Sequence, residues 1–362
     1  MKSPGSGKTL TVLVFLLVAF GLIMLSSAGV VEGQKKFGSS SYFFQHQLIY
    51  GAIPGLLLFF LFSRVHYKIW KKVSLPLLIF VVGLMVLVFI PRFGLAVKGA
   101  QRWLDLGFVT IQPSEFLKLA MIIYLAAWFS HRGSYIQNWS YSIIPFLFIL
   151  SFVGLLLILQ PDIKTLAIVT LVSMAMYFFA GAKMIHILGF LLIFAILVGL
   201  LSYFEPYRLN RIKAYLNPSI DQQGVSYHIN QALLSVGSGG MFGLGFGQSQ
   251  QKINYLPEPV GDSIFAIIVE ELGFVGGAVV LSLFIFLILA LIAIAKNTHD
   301  QFGKLFVLGT AVWLTAQTFI NIGAILNLIP LTGVPLPFFS YGSSSLVGLL
   351  AAMGIAESVA RH

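Results

Sequence analysis

Cysteine is missing from this chain of 362 residues, and charged residues are scarce. Without cysteine the protein can form no disulfide, use no thiolate as a nucleophile and bind no metal through thiolate sulfur. Charged residues make up 9% of the chain, whereas soluble domains carry about 25%, and 58% of the residues are hydrophobic. This composition excludes an ordinary soluble domain and indicates a protein that crosses a membrane several times.

Long apolar runs occupy most of the chain. A helix needs about 20 apolar residues to cross roughly 30 Å of hydrocarbon. Ten runs approach this length, at 9–31, 42–63, 74–91, 113–130, 141–159, 163–180, 184–204, 263–295, 303–327 and 341–360. The sequence therefore predicts an all-α, polytopic membrane protein with about ten transmembrane helices in one domain, 1–362. A large external loop, 205–261, would separate the seventh and eighth helices.

Two features refine this topology. The eighth run is too long for one crossing, so we expect 262–273 to lie in the interface or a protein-lined cavity, with a kink at Gly273, Gly276 or Gly277. Lysine and arginine are more frequent in the segments that share the N-terminus's side of the membrane than in the short loops on the opposite side. This bias favours cytoplasmic termini and places the 92–112 and 205–261 loops outside. The net charge of +10 is consistent with anionic lipid contact.

Four of the twelve carboxylates share one short stretch, LPEPVGDSIFAIIVEELG: Glu258, Asp262, Glu270 and Glu271. Acidic residues are costly near a bilayer and normally mark functional sites. Asp262 follows two prolines and a glycine, so it could instead be a helix N-cap, worth about 0.5–2 kcal/mol. Glu270 lies about 12 Å further along the helix, too far to share a proton with Asp262. We therefore expect Glu270 and Glu271 to pack helices or anchor the loop.

Further charged residues surround the predicted starts of the fourth and sixth helices. Glu115 and Lys118 are three residues apart, so they share a helix face and can pair; a simple neutralised ion pair is the alternative to a functional role. Arg102 and Asp105 precede them, and Asp162 opens the sixth helix on the same side. Cations of this kind hold phosphates, and a carboxylate can take a proton from a sugar hydroxyl. The external face thus suits an anionic, polar headgroup carried on a lipid.

Two glycine-containing motifs carry less information. The stretch GSGKT, from Gly5 to Thr9, lacks the first glycine and the preceding strand of a P-loop, so nucleotide binding is not expected. The run GSGGMFGLGFGQ, from Gly237 to Gln248, has no strand–helix–strand context. It is either a tightly turned external loop or a backbone that approaches a bulky ligand closely.

Together, several segments resemble the shape, elongation, division and sporulation (SEDS) family, which includes RodA, FtsW and SpoVE. The matching segments are GAQRWLDLG, QPSEFLKLA, QPD, YLPEPVGDSIFAIIVEELGFVGG and NIGAILNLIPLTGVPLPFFSYGSSSLVGLL. They follow the family's order over nearly the whole chain. The stretch GLGFGQSQQKINYLPE favours the FtsW, or division, branch. This chain departs from the family pattern at Gly261 and Ser263, where Thr and Phe are common, and at Ser343, where a second Gly is common.

The resemblance implies a peptidoglycan glycosyltransferase that polymerises lipid II at the outer face of the bacterial cytoplasmic membrane, with undecaprenyl diphosphate as the leaving group. A class B penicillin-binding protein, a transpeptidase, would crosslink the product. Other division or elongation membrane proteins would be partners, and nucleic acid would not. The family's essential aspartate corresponds to Asp262, which would be catalytic. Arg102, Glu115, Lys118 and Asp162 match polar positions of its motifs.

The leaving diphosphate needs positive charge beside it, which basic side chains would supply, either alone or together with a divalent cation such as magnesium or manganese. The sequence offers several external cations for this role. The predicted substrate-binding residues are Arg102, Glu115, Lys118, Asp162, Arg208, Arg211 and Lys252.

Two other functions fit the composition. A lipid II flippase would place polar residues near the bilayer midplane, whereas here they concentrate at one face, which favours the enzyme. A non-catalytic division scaffold would tolerate replacement of the external acids. The closing segment PLTGVPLPFFSYGSSS either lines a lipid groove or is a proline-rich turn that caps the last helix.

Overall fold

The computed structural model describes residues 5–97, 100–107, 109–138, 143–203, 211, 215, 224–253 and 255–362. Within them the chain is mostly helical. The α-helices are α1 Gly5–Ala28, α2 Val30–Phe37, α3 Tyr42–Gln47, α4 Ile53–Arg64, α5 Lys68–Lys72, α6 Ser74–Leu87, α7 Pro113–Ser130, α8 Ile144–Leu159, α9 Ile163–Phe179, α10 Met184–Tyr203, α11 Val225–Ser238, α12 Ile264–Asn297, α13 Gln301–Ile325 and α14 Ser343–Arg361. A π-helical stretch, Leu48–Ala52, joins α3 to α4, and a 3-10 helix, Gly133–Gln137, follows α7.

The helices confirm a multi-pass membrane architecture. A helix lies in each of the ten predicted apolar runs. Six helical segments of the described chain are long and apolar enough to cross a membrane: Gly7–Ala28, Tyr42–Arg64, Lys68–Leu87, Ile264–Asn297, Gln301–Ile325 and Ser343–Arg361. Helices α8 and α9 are apolar but shorter. The count of ten crossings stays a prediction.

A small antiparallel sheet, which the sequence analysis did not predict, folds the loop between α6 and α7. Its strands are β1 Gly94–Val97, β2 Ala100–Asp105 and β3 Thr110–Ile111, in the order β1-β2-β3. Leu104 pairs with Gly94 on one side and with Ile111 on the other. The strands are short and carry charged residues, so the alternation of apolar and polar residues that indicates a strand is weak in this part of the sequence. The sheet places β2 beside α6 and α7.

Helix α12 breaks at Gly273, as predicted, with a φ of 72° and a ψ of −171°. The break leaves backbone groups of a spanning helix without helical partners, and such groups need others inside a membrane protein. The glycine-rich loop that follows α11 supplies them. The four bonds are Leu244 N to Glu270 O (2.9 Å), Gly245 N to Glu271 O (3.0 Å), Phe274 N to Gly240 O (2.8 Å) and Val275 N to Met241 O (3.2 Å).

Substituting Gly273 should therefore loosen this loop. In Gly273→Ala the added Cβ would clash with the backbone of Met241 and Gly243, and the backbone conformation itself costs a non-glycine residue roughly 1–3 kcal/mol. We expect a lower unfolding temperature in detergent, measured by circular dichroism. The matched control is Gly83→Ala in α6, where an added Cβ meets nothing within 4 Å. Equal unfolding temperatures for the two variants would contradict the prediction.

Candidate functional site

Asp262 lies in the turn that leads into α12, and the turn is held through its backbone. Three donors from the C-terminal third of the chain bind three successive carbonyls. The pairs are Tyr341 N with Val260 O (2.8 Å), Ser340 Oγ with Gly261 O (2.6 Å) and Asn321 Nδ2 with Asp262 O (2.8 Å). The position of Asp262 is thus set by contacts that do not involve its carboxylate.

The carboxylate of Asp262 is left available. Its Oδ1 is buried and has no hydrogen-bond partner among the described residues. The N-cap residue of α12 is Ser263, and its side chain makes no capping bond. The N-cap interpretation of Asp262 is therefore wrong. A carboxylate that caps no helix, keeps one buried oxygen without a partner among the described residues and is positioned through its backbone has the properties of a group that acts on a ligand.

Charges near Asp262 act in both directions. Burial raises the pKa of the Asp262 carboxyl and is the largest effect. His228 lowers that pKa, Glu258 raises it and Lys164 lowers it. Since burial dominates, this carboxyl binds a proton more strongly than an exposed aspartate does, as a general base requires.

His228, on α11, reaches the same turn. Its Nε2 lies 2.6 Å from Ser263 Oγ, which also donates to Pro257 O at 2.8 Å. Burial lowers the pKa of His228, Asp262 raises it and Arg211 lowers it. The sequence analysis missed this residue, because a lone histidine inside a long predicted loop carries no local signal of its partner.

An extended segment, 331–341, runs through the site without helix or strand. Side chains from different parts of the chain bind its carbonyls. The pairs are Arg211 Nη1 with Leu331 O (3.0 Å), Lys164 Nζ with Gly333 O (3.3 Å), Asn321 Nδ2 with Val334 O (2.8 Å) and Gln317 Nε2 with Pro335 O (3.0 Å). Arg211, a predicted site residue, therefore lies near Asp262, whereas Lys164, Asn321 and Gln317 were missed. Arg208 lies outside the described residues.

Glu115 and Lys118 form a buried ion pair, with Lys118 Nζ 2.7 Å from Glu115 Oε2. The ammonium also donates to Gln317 Oε1 at 3.2 Å and lies 5.0 Å from the ring centroid of Trp313. Trp313 Nε1 donates to the same Gln317 oxygen at 2.7 Å. The pair thus touches the site through Gln317, which holds the 331–341 segment. This arrangement agrees with the neutralised-pair alternative and adds a supporting role.

Arg102 and Asp162 meet at a corner between β2 and α9. Arg102 donates to the carbonyls of Gln160 and Pro161. Asp162 is buried and caps α9 by accepting a bond from Thr165 N at 3.4 Å. Its carboxylate also accepts from Ser114 Oγ, Thr165 Oγ1 and Gln112 Nε2, at 2.9, 2.9 and 3.4 Å. Asp162 therefore ties the start of α7 to the start of α9, two residues before Lys164.

Lys252 lies in a different place from Asp262. Its ammonium binds Glu271 Oε1 at 2.7 Å, Ser27 Oγ at 2.9 Å and Gly247 O at 2.8 Å, which uses all three of its donors. Glu270 accepts four bonds, from Ser235 Oγ, Ser249 Oγ, Gln250 N and Gln251 N. The expectation that Glu270 and Glu271 anchor the loop is confirmed. The substrate role predicted for Lys252 stays a prediction, and in the structure this side chain pins the loop to α1.

Removing the Lys118 charge should destabilise the protein. Lys118→Met leaves the Glu115 carboxylate buried without a countercharge, which costs about 3–5 kcal/mol. We expect a clear fall in the unfolding temperature in detergent, and recovery of most of it in the double variant Glu115→Gln with Lys118→Met. As a control, Lys36→Met removes a pair with Glu32 in which Lys36 is 58% exposed; that change should cost at most about 1 kcal/mol.

Two outcomes would contradict this: an unchanged unfolding temperature in Lys118→Met, or a double variant no more stable than the single one. Exchanging the charges (Glu115→Lys with Lys118→Glu) should not restore stability. It places a carboxylate against the Gln317 oxygen and the face of Trp313, both of which favour a cation.

Comparisons with known proteins show the family to which the chain belongs. Residues 8–362 match the FtsW/RodA/SpoVE family model, described as "Cell cycle protein". The chain is 40% identical to Stage V sporulation protein E of Bacillus subtilis (strain 168), an alignment that covers 100% of this chain and 98% of the relative. It is 38% identical to a probable peptidoglycan glycosyltransferase FtsW of Trichlorobacter lovleyi, over 96% of this chain and 91% of the relative.

Solved structures have the same fold. The crystal structure of the rod shape determining protein RodA of Thermus thermophilus has a TM-score of 0.71 and 29% identity, over 97% of this chain and 95% of that one. A chain from a peptidoglycan synthase complex, in a study of how polymerization and crosslinking are coordinated, has a TM-score of 0.80 and 28% identity, over 97% and 96%. Matched in sequence and in fold over almost its whole length, the chain belongs to the FtsW/RodA/SpoVE, or SEDS, family.

Proposed function

We propose that this protein is a peptidoglycan glycosyltransferase that polymerises lipid II into glycan strands. The observation that carries the proposal is the Asp262 carboxylate: it is fixed by its backbone, its pKa is raised by burial, and Oδ1 has no partner among the described residues. Relatives named as probable peptidoglycan glycosyltransferases support it. The FtsW branch remains our prediction, since both SpoVE and FtsW proteins are similar to the chain.

In the proposed reaction, a sugar hydroxyl of one lipid-linked substrate attacks the anomeric carbon of another. A new C–O glycosidic bond forms, the bond from that carbon to the diphosphate oxygen breaks, and undecaprenyl diphosphate leaves with the bonding electrons. The hydroxyl proton passes to the Asp262 carboxylate. An alcohol is a weak nucleophile at neutral pH, so a positioned base contributes about 100- to 10,000-fold to the rate.

Positive charge for the leaving diphosphate would come from the basic side chains nearest this turn. Lys164 and Arg211 bind carbonyls of the 331–341 segment beside Asp262. Arg102 binds the carbonyls of Gln160 and Pro161, which precede Lys164 in the chain. The positive ends of α7, α9 and α12 add to this field, because their N-termini lie on the same side of the protein. We propose that these groups receive the headgroup, while Glu115, Lys118 and Asp162 support the walls of its site.

A divalent cation, magnesium or manganese, fits the site only together with substrate. No group of three or more His, Asp or Glu suited to a metal is found in the described part of the chain. Glu258 and, as an alternative to its role as base, Asp262 offer hard oxygen ligands of the kind these ions prefer, and diphosphate oxygens would complete the set. Such an ion would neutralise charge on the leaving group.

We also propose that both termini are cytoplasmic and that the site faces outward. Support comes from the lysine and arginine bias and from the side shared by the starts of α7, α9, α12 and α14, where the site residues gather. The charged residues of the site gather at the starts of these helices, whereas a flippase would place polar residues along a path near the bilayer midplane. The enzyme is therefore favoured over the transporter.

The central test is Asp262→Asn. Asparagine keeps the size of the side chain and the backbone contacts but cannot accept the proton, so we expect a folded, membrane-inserted protein with no glycan ladder when purified with labelled lipid II. The matched control is Asp300→Asn. Asp300 caps α13 by accepting a bond from Gly303 N at 2.9 Å, and asparagine caps equally well, so the ladder should persist.

A ladder from Asp262→Asn at the wild-type rate would remove the catalytic assignment. A wild-type protein that gives no ladder under any condition, but moves labelled lipid II across vesicle membranes, would instead favour the transporter. Persistence of cell division with the external acids replaced would favour the scaffold.

Polymerisation should be stronger in a complex. The structural relative taken from a peptidoglycan synthase complex supports a class B penicillin-binding protein as the partner, alongside other division or elongation membrane proteins. Because the exterior of the helices is apolar, we expect packing of a single-span partner helix to decide the pairing. The ladder yield should rise when the cognate transpeptidase is reconstituted with the protein. Equal yields with and without each candidate partner would contradict this expectation.

A further inference from the structure

The turn that carries Asp262 has an irregular backbone. It contains Pro257 and Pro259, and Glu258 adopts a φ of 50°, in the left-handed region that a non-glycine residue rarely occupies. Within the turn, Glu258 O accepts bonds from Gly261 N at 3.0 Å and Ser263 N at 3.3 Å. Such a conformation persists only when surrounding contacts determine it.

Contacts reach the turn from two sides. On one side, the Tyr341 amide and the side chains of Ser340 and Asn321 bind the carbonyls of residues 260–262. On the other side, a contact is made by His228 of α11, through Ser263. Asp262 lies between the two, and its own Oδ1 has no partner among the described residues. The position of the Asp262 carboxylate therefore depends on how rigidly these contacts hold the turn.

Proton counting fixes the direction of the His228 contact. A serine hydroxyl has one hydrogen to donate. Ser263 Oγ gives it to Pro257 O at 2.8 Å, so the 2.6 Å contact with His228 Nε2 requires that Nε2 carries a hydrogen and donates it. The result is a chain of two hydrogen bonds with a fixed direction: His228 N–H donates to the Ser263 hydroxyl, which donates to the Pro257 carbonyl. Ser263 is fully buried and His228 is 9% exposed, so water is a poor substitute for either partner.

The geometry points to His228 as a positioning residue for Asp262, acting through Ser263. It closes the turn by linking the first residue of the Pro257–Ser263 stretch to the last and tying both to α11. The inference rests on the proposed function of Asp262 as the base. In this role His228 contributes a neutral N–H donor at the position of Nε2, and its imidazole transfers no proton.

Four single variants and one double variant test this hydrogen-bond chain. Glutamine can place its side-chain N–H near the position of Nε2, so His228→Gln should keep most of the polymerisation rate. We expect His228→Ala and Ser263→Ala to lower kcat by about 10- to 100-fold, the range that a displaced catalytic group produces, with the KM for lipid II unchanged. Ser263→Thr, which keeps the hydroxyl, should restore the rate. The double variant His228→Ala with Ser263→Ala should be no slower than either single variant, because the two side chains act through one contact.

Rates near wild type in both alanine variants would overturn the inference. So would a His228→Gln variant as slow as His228→Ala, since this would mean that the imidazole itself transfers a proton or binds substrate. A rise in KM with unchanged kcat would also overturn it, in favour of a substrate-binding role.

A second readout does not depend on activity. The chain has no cysteine, so Asp262→Cys introduces a unique thiol whose rate of alkylation reports how firmly the turn is held. Combined with His228→Ala, this rate should rise severalfold, and combined with His228→Gln it should not change. Failure of the wild-type protein to polymerise lipid II would remove the proposed function and leave this result standing. Equal alkylation rates in all three backgrounds would remove the positioning role alone.

Discussion

The extended segment 331–341 imposes the constraint on which the site depends. It lies among spanning helices, yet its prolines at 335 and 337 and its irregular backbone leave carbonyls without helical partners. Such groups need partners from elsewhere in a membrane protein. Polar side chains at positions 164, 211, 317 and 321 provide them. The same segment ends in Ser340 and Tyr341, which hold the turn of Asp262. The contacts that provide hydrogen bonds to the carbonyls of this segment therefore also help to position the Asp262 carboxylate.

Asn321 shows how closely the two are coupled, because its Nδ2 donates both to Val334 O and to Asp262 O, at 2.8 Å each. Gln317, one helical turn earlier, holds Pro335 O and receives the Lys118 ammonium. The buried pair of Glu115 and Lys118 is therefore connected to the turn of Asp262 through α13 and the extended segment. A substitution in that pair can change the chemistry without any contact between the pair and the substrate, so loss of activity alone does not identify a substrate ligand.

Local signals in the sequence predicted the features that local physics determines. The apolar runs, the break at Gly273 and the anchoring by Glu270 and Glu271 follow from hydrophobic length, glycine conformation and helix rise. The contacts that complete the site join residues far apart in sequence, such as His228 with Ser263 and Lys164 with Gly333, and one sequence contains no record of them. Lys252 shows that closeness in sequence does not fix a contact: it is near Asp262 along the chain, but its ammonium binds Glu271 and Ser27, and its substrate role stays a prediction.

Asp262, the proposed base, must be held in place without losing basicity. Strong donors to a carboxylate, such as several backbone N–H groups, would fix it but lower its pKa and reduce its basicity. Here three donors bind the carbonyls of residues 260–262, and burial raises the pKa of the Asp262 carboxyl more than the nearby cations and its own backbone N–H lower it. In the protein without substrate, burial of a carboxylate oxygen that has no hydrogen-bond partner is energetically unfavourable. A substrate hydroxyl that donates to Oδ1 would remove this penalty. Binding the acceptor sugar and aligning its proton with the base would then be the same event.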